Sequence, residues 1–141
     1  MSKLAGMLTL AAVATLSALP AAGESAVPDL RGVWKGTSES IVSGGANPHH
    51  ATASAETRFS SIAFTLTVEK QDGRRFSGTY TSEHSKDQVV AVISRNGTIL
   101  MADDDGYTIG TILAPNRIEL CYMHSSPNAQ VASCTEFTKQ P

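Results

Sequence analysis

The sequence predicts an all-β protein, folded as an eight-stranded antiparallel up-and-down β-barrel. Beyond Asp29 there is no helical periodicity, and short runs rich in Thr, Val, Ile and aromatic residues alternate with turn-forming residues. Eight neighbouring strands in one short domain would leave two bare edges if the sheet stayed open, and closure into a barrel removes those edges. A seven-stranded immunoglobulin-like sandwich is the alternative.

The predicted strands follow one another along the chain as hairpins. They cover residues 31 to 41, 59 to 70, 75 to 83, 88 to 94, 98 to 102, 107 to 113, 117 to 124 and 131 to 139. Most turns between them contain a residue that tolerates positive φ or presets a bend, namely Gly73, Gly97, Gly106 or Pro115. The first connection, residues 42 to 58, is the longest. Because alternate connections of such a barrel lie at opposite ends, we expect one end closed by short turns and one open mouth.

The length and charge of the chain limit what it can be. Its 141 residues suffice for one compact domain. Eleven basic and thirteen acidic side chains give a formal net charge of -2. A protein that neutralises a phosphate backbone carries an excess of Lys and Arg, so we expect no nucleic-acid partner.

Residues 1 to 23 have the pattern of a secretory signal peptide. Lys3 precedes an apolar stretch of 16 residues from Leu4 to Leu19, and Pro20 is followed by small residues. A helix that stays in the membrane needs about 20 apolar residues, so a retained anchor is the weaker alternative. We expect residues 24 to 141 to form one secreted or periplasmic barrel domain that does not contact the membrane after cleavage.

The two cysteines, Cys121 and Cys134, are predicted to form a disulfide. Both lie in the exported part of the chain, where an oxidising compartment favours a bridge over free thiols. In the alternation of the last two predicted strands, both fall on outward faces of neighbouring strands, where a cross-strand bridge is geometrically allowed. Tyr122, Thr135 and Phe137 then point into the barrel.

Trp34 is the only tryptophan and lies near the start of the first predicted strand. A large aromatic ring with one donor group suits the floor or wall of a small barrel. Ser38 and Ser40 share its face of the strand, and hydroxyl groups inside a barrel are typical of a ligand pocket. The alternative is that this strand resembles an edge whose polar face meets water.

These residues resemble the avidin and streptavidin family, within the calycin class of barrels. The resemblance rests on Gly32 and Trp34, on Ser40 six residues later, on the segment Phe-Ser-Gly-Thr-Tyr-Thr-Ser at 76 to 82, and on Phe-Thr-Lys at 137 to 139. It spans Asp29 to Lys139. Most tryptophans of the family's biotin pocket are missing, since Trp34 stands alone.

The resemblance implies a barrel that binds a small molecule, with biotin as the first ligand to test and an altered affinity. Hydroxyl groups from Ser40, Tyr80 and Ser82 match the family positions that bind the ureido oxygen of biotin. Tyr122 lies where the family has a pocket tryptophan, and Thr135 lies where it has an aspartate. The ligand site implied for this chain therefore consists of Trp34, Ser40, Tyr80, Ser82, Tyr122 and Thr135.

Other functions have less support in the sequence. The four histidines and the acidic run from Asp103 to Asp105 have no metal-ligand spacing, so we expect neither a metal nor a cofactor. No nucleophile-elbow, zinc-protease or phosphate-loop motif is present, and we expect that the protein is not an enzyme. The rival function is a protein-binding barrel, such as an inhibitor of a secreted enzyme, that uses the loops at 43 to 57 and 124 to 130. Homo-oligomer formation stays open.

Overall fold

The structure, a computed structural model, describes residues 27 to 45, 49 to 50 and 54 to 141. It contains β-strands throughout and no helix in these residues. Nine strands are present: β1 (Gly32–Gly44), β2 (Ser54–Ser60), β3 (Ala63–Asp72), β4 (Arg75–Thr81), β5 (Lys86–Ile93), β6 (Thr98–Ala102), β7 (Tyr107–Ala114), β8 (Arg117–Ser125) and β9 (Ala129–Lys139).

The sheet closes into an eight-membered antiparallel barrel, as predicted. Its strand order is β2-β1-β3-β4-β5-β6-β7-β8-β9, and β1 also pairs with β9. Strands β2 and β3 pair with β1 in one continuous register, with Ser60 opposite Ser40 and Ala63 opposite Thr37. They are therefore one member of the barrel wall with a break at Ser61 and Ile62. The fold class is confirmed as a calycin-like barrel.

The first connection is shorter than the sequence indicated. β1 continues to Gly44 and β2 begins at Ser54, so the connection covers residues 45 to 53 instead of 42 to 58. The turn between β8 and β9 is also short, covering residues 126 to 128. The extra strand was missed because the segment Ser-Ala-Glu-Thr-Arg at 54 to 58 lacks the alternating large apolar residues that mark a strand.

We call the end where β1 begins the lower end of the barrel, and the end where β1 finishes the upper end. Tight turns close the lower end, and Gly73 and Gly97 adopt φ values of 55° and 86° there. The chain before β1 also covers this end. Buried Leu30 accepts a hydrogen bond of 2.7 Å from Trp34 Nε1 through its carbonyl oxygen.

The lower part of the lumen is filled with apolar side chains. Strand alternation turns every second residue inward, as in the burial pattern of β3, and these residues pack into one core. Each fully buried large apolar side chain contributes about 1.5–3 kcal/mol to folding. The core comprises Leu30, Trp34, Ile62, Phe64, Leu66, Val68, Phe76, Val89, Ile93, Ile99, Met101, Ile118, Leu120 and Phe137.

The predicted disulfide is confirmed on the outside of the wall. Cys121 and Cys134 are directly opposite each other on β8 and β9, and a disulfide joins them. Tyr122 and Thr135, the neighbours that follow them in sequence, have the opposite, inward parity. The bridge thus ties two neighbouring strands together without occupying the lumen.

The predicted signal peptide, residues 1 to 23, lies outside the described residues. Its cleavage, the 24 to 141 domain boundary and export remain predictions. In the part of the chain that the structure describes, no helix has the length and apolar character needed to cross a membrane.

Candidate functional site

The upper part of the lumen is polar. On β1 and β9, inward positions change from Trp34 and Phe137 at the lower end to buried Ser38, Ser40 and Thr135. Ser40 Oγ lies 3.1 Å from Ser38 Oγ and 2.9 Å from the Oγ atom of Ser133 on β9. Buried hydroxyl groups need such partners, because an unpaired one costs free energy. Three hydroxyl groups on two neighbouring strands therefore form one connected cluster.

The side chain of His49 occupies the centre of this upper end. His49 is 7% exposed. Its Nδ1 atom lies 2.7 Å from Ser82 Oγ, and its Nε2 atom lies 2.5 Å from Asp87 Oδ2. The connection between β1 and β2 thus contributes an imidazole ring that is held at both nitrogens by residues from the β4–β5 region.

The hydrogen bonds of Ser82 fix the direction of its proton. The Ser82 hydroxyl accepts hydrogen bonds from the backbone N–H groups of His84 and Ser85, at 3.1 and 3.2 Å. An ionised carboxylate can only accept, so His49 Nε2 carries a proton toward Asp87. The Ser82 proton is then free to be donated to His49 Nδ1 when the imidazole is neutral. The neutral ring is therefore held between a donor, the Ser82 hydroxyl, and an acceptor, the Asp87 carboxylate.

Two aromatic rings form the walls around His49. Phe64 lies 5.1 Å and Tyr80 lies 6.0 Å from the imidazole, both in edge arrangements, and their own centroids are 4.6 Å apart. Burial raises the pKa of Tyr80, and its hydrogen bond with Thr135 opposes that shift. Tyr80 is therefore a neutral hydroxyl at any pH where the protein works. The site combines apolar walls with a few hydrogen-bonding groups, which is the composition of small-molecule pockets.

The free space beside His49 is small. A cavity of about 20 Å³ is lined by His49, His50, Phe64, Tyr80, Asp103, Tyr122 and Ser133. That volume holds about one water molecule. The upper end is therefore not the open mouth that the sequence predicted, because imidazole rings fill it. A larger groove, of about 760 Å³, lies at the lower end between residues 27 to 29 and the turns at Arg95 and Pro115.

Tyr122 and His124 form the opposite side of the upper end with the turn between β6 and β7. Tyr122 donates a hydrogen bond of 2.8 Å to Asp105 Oδ1, and His124 Nδ1 lies 2.5 Å from the Asp105 carbonyl oxygen. The Tyr122 ring covers Gly106, where an added Cβ would lie only 2.2 Å from it. Burial raises the pKa of Asp103, although the Asp105 and Gly106 N–H groups bond to its carboxylate.

Three buried side-chain nitrogens in the described residues have no hydrogen-bond partner, and all lie at the upper end. They are His50 Nδ1, Arg58 Nη2 and His124 Nε2. His124 and Arg58 belong to one row across the wall, through Val131 and Val42. Burial, followed by the charges of His49, Arg58 and His84, lowers the pKa of His50. Unpaired buried polar atoms are uncommon, and a missing ligand or water is one physical reason for them.

The structure brings five of the six predicted site residues to the upper end. They are Ser40, Tyr80, Ser82, Tyr122 and Thr135. Trp34 lies apart from them, because its indole is bonded to Leu30 at the lower end. Their roles in binding remain predictions. Four further residues of the upper end were not predicted as site residues, namely His49, its neighbours Phe64 and Asp87, and Ser133, which lines the same cavity. Of these four, strand alternation predicts only that the side chains of Phe64 and Ser133 point into the barrel.

Among the described residues, no group of three or more His, Cys, Asp or Glu side chains is arranged to hold a metal ion. His49 and Asp87 bond to each other, and the Asp103 carboxylate is bonded to backbone N–H groups. His49, Asp87 and Asp103, which could otherwise be metal ligands, are thus bonded to each other or to the backbone.

Comparisons with known proteins give little more. No family model matches this chain, and no curated protein matches it. A solved structure that is similar is that of the S-type phycobiliprotein lyase CPES from Guillardia theta. It is 11% identical, with 79% of this chain and 89% of that chain covered and a TM-score of 0.37. This likeness is too distant to assign an activity or a ligand.

The expectation that the protein is not an enzyme is corrected, because it rested only on missing motifs; the similar structure bears the name of a lyase, and that likeness assigns no activity to this chain. The absence of motifs was an insufficient reason to exclude catalysis. Ser82, His49 and Asp87 are hydrogen-bonded in the order of a Ser-His-Asp triad, but with the two imidazole nitrogens exchanged, and His49 is 33 and 38 residues from its partners. A search for residues at fixed spacing cannot detect groups that only the fold brings together.

Proposed function

We propose that this protein is an exported barrel that binds a small molecule at its upper end, in the position that the His49 imidazole occupies. The molecule has a planar ring with an N–H group and a carbonyl oxygen. Asp87 Oδ2 accepts a hydrogen bond from the N–H group, the Ser82 hydroxyl donates one to the carbonyl oxygen, and Phe64 and Tyr80 pack against the ring. His49 is then an internal substitute that the ligand displaces.

The observation that carries this proposal is the environment of His49. A flat ring with two nitrogens is held by Ser82 and packed against Tyr80, two residues that the resemblance to avidins implies as ligand contacts. The same residues can serve a ligand ring of similar size. The unpaired nitrogens of His50, Arg58 and His124 give further polar groups for substituents on that ring.

Biotin is the first ligand to test. Its ureido ring carries an N–H donor for Asp87 and a carbonyl oxygen that accepts from the Ser82 hydroxyl. The pocket walls are smaller than in avidins, and each missing aromatic wall removes on the order of 1.5–3 kcal/mol of burial. We therefore expect a much weaker complex than avidins form. Ser40, Tyr122 and Thr135 are the other hydroxyl groups proposed to line the site.

The two loops give less support to the rival function, a protein-binding barrel, than the upper end gives to ligand binding. The surface for a protein partner was expected at residues 43 to 57 and 124 to 130, but strands occupy both ends of each segment and leave only residues 45 to 53 and 126 to 128 outside them. We therefore propose no inhibitor function.

The proposal is tested by emptying the ring position. His49→Ala removes the imidazole and leaves Ser82, Asp87 and the aromatic walls in place. We expect 2-imidazolidinone, imidazole and biotin to raise the melting temperature of this variant more than that of the unaltered protein. Binding to the folded state stabilises it by about 2.7 kcal/mol when the ligand is present at 100 times its dissociation constant.

Two controls make the result specific. His84→Ala removes a more exposed histidine from the same rim and should not create a binding site. Asp87→Asn, added to His49→Ala, keeps the shape but weakens one acceptor, and should reduce the shift. A folded His49→Ala variant whose melting temperature is unchanged by all three compounds contradicts the proposal.

A further inference from the structure

The outer surface of the barrel has one apolar face. Ten large hydrophobic residues of the described chain are exposed, and seven of them lie on outward positions of β5 to β8. Six of the seven are grouped in two neighbouring rows, and Leu113 lies apart near the end of β7. We call this group the apolar face. It consists of Val90, Val92, Leu100, Tyr107, Ile109 and Met123.

The strand register makes these residues neighbours. Val92, Leu100 and Ile109 are directly opposite one another on β5, β6 and β7. In the next row, Val90 is opposite Ala102, which is opposite Tyr107, and Tyr107 is opposite Met123. Side chains directly opposite on one face of a sheet are in contact range. The apolar face is therefore continuous over four strands.

The outward positions of β3 and β4 differ in composition. They carry Thr65, Thr67, Glu69, Arg75 and Ser77, which are polar or charged. No Lys, Arg, Asp or Glu interrupts the two rows of the apolar face. The second row also continues past Met123 through Ala132 on β9 and Ile41 on β1 to Phe59 on β2. The exposed large apolar side chains are thus absent from β3 and β4, and the largest group of them lies on β5 to β8.

The size of the apolar face fits one further copy of the chain. At exposed fractions from 41% for Val92 to 73% for Tyr107, the six residues present on the order of 600 Å². Isolated soluble proteins seldom expose a larger continuous apolar patch. A twofold contact buries the patch on both copies, on the order of 1,200 Å², which reaches the range of stable protein interfaces.

We infer that the apolar face of β5 to β8 packs against the same face of a second copy of this chain, and that the protein is a twofold symmetric dimer. Such an interface uses the same patch on both copies, so that residue i of one meets residue j of the other, and an uncharged patch brings no like charges together. Antiparallel sheets pack face to face in this way, with interdigitating side chains. The lumen is on the other side of the wall, so the inference does not depend on the proposed function.

Sedimentation velocity of the purified protein over a range of concentrations tests the inference. We expect a species of twice the chain mass at micromolar concentration. Ile109→Lys places a charge in the middle of the apolar face and should raise the dissociation constant of the dimer at least about thirtyfold. Leu100→Ser is a milder second variant and should weaken the dimer in the same direction.

Thr67→Lys is the matched control, because it adds the same charge to the outer face of β3. It should leave the dimer intact, and circular dichroism should show that all variants keep the β-sheet spectrum. The inference is overturned if the unaltered protein sediments as a monomer at every concentration, or as a ladder of ever larger species. It is also overturned if Ile109→Lys and Thr67→Lys weaken the dimer equally.

Discussion

The two halves of the lumen differ in what fills them. In the lower half, apolar side chains from all sides of the wall pack together, and the one indole N–H of Trp34 has a backbone partner. In the upper half, His49 and its polar neighbours fill the space, and three nitrogens lack partners. One barrel thus encloses a close-packed region and an incompletely satisfied polar region.

This difference separates stability from binding. Apolar burial is the main stabilising contribution to folding, and the lower half supplies most of it. Buried polar groups contribute little net stability, and unpaired ones are destabilising. A protein keeps such groups where another molecule can use them. The upper half therefore offers specificity at a cost in stability that the lower half offsets.

The largest expected effect tests the lower half. Trp34→Ala removes a fully buried ring and should lower the free energy of unfolding by about 3–5 kcal/mol, because the closed lower end cannot collapse onto the space. Denaturant unfolding measures this loss. Val33→Ala, at the neighbouring outward position, should change stability by less than about 1 kcal/mol. Equal losses for the two variants would show that the lower half is not the stabilising core.

The disulfide joins β8 and β9 on the outside of the wall and lies in neither half of the lumen. Replacing Cys121 and Cys134 with Ser should lower the free energy of unfolding by about 3 kcal/mol, since a cross-link over 13 residues limits the unfolded chain. Thermal unfolding of the protein before and after confirmed reduction measures the same effect. An unchanged melting curve after reduction would contradict the stabilising role of the bridge.

A smaller loss is expected in the upper half. Asp87→Asn removes the charged acceptor from a largely buried pair with His49, and should cost about 2 kcal/mol. Asp72→Asn is the matched control, because Asp72 pairs with Arg75 in an exposed position. Exposed pairs contribute about 0–1 kcal/mol. If both variants unfold at the same denaturant concentration, the His49 pair is not a buried anchor of the upper end.

The smallest effect is a dependence of stability on pH. Burial and the nearby His49, Arg58 and His84 lower the pKa of His50 in the folded state. The unfolded chain therefore binds the proton first, and the stability present above pH about 6.5 is lost as the pH falls below that value. Asp103, whose pKa burial raises, acts in the opposite direction.

The difference between the unaltered protein and His50→Gln isolates the contribution of His50. Unfolding free energies measured from pH 7 to pH 5 should fall less steeply in the variant. An identical slope in both proteins would show that His50 is as free to bind a proton in the folded state as in the unfolded chain.

Local regularities in the sequence predicted the barrel and part of the site. Alternation placed Tyr122 and Thr135 inside and the two cysteines outside, because neighbouring side chains of a strand point to opposite faces. The position of His49 could not be predicted in this way, since it depends on contacts with residues 33 and 38 positions away. Trp34 was predicted as a site residue from the resemblance to avidins, and its strand alone did not show that Leu30 would bond its indole at the lower end.

A crystal structure of the His49→Ala variant soaked with 2-imidazolidinone is the most direct test of the binding site. The ring should lie beside the Phe64–Tyr80 stack, where the imidazole lies in the unaltered protein, with an N–H group within about 2.7–3.2 Å of Asp87 Oδ2 and its carbonyl oxygen at a similar distance from Ser82 Oγ. A collapsed upper end, or a compound bound elsewhere while this position holds only water, would contradict the account.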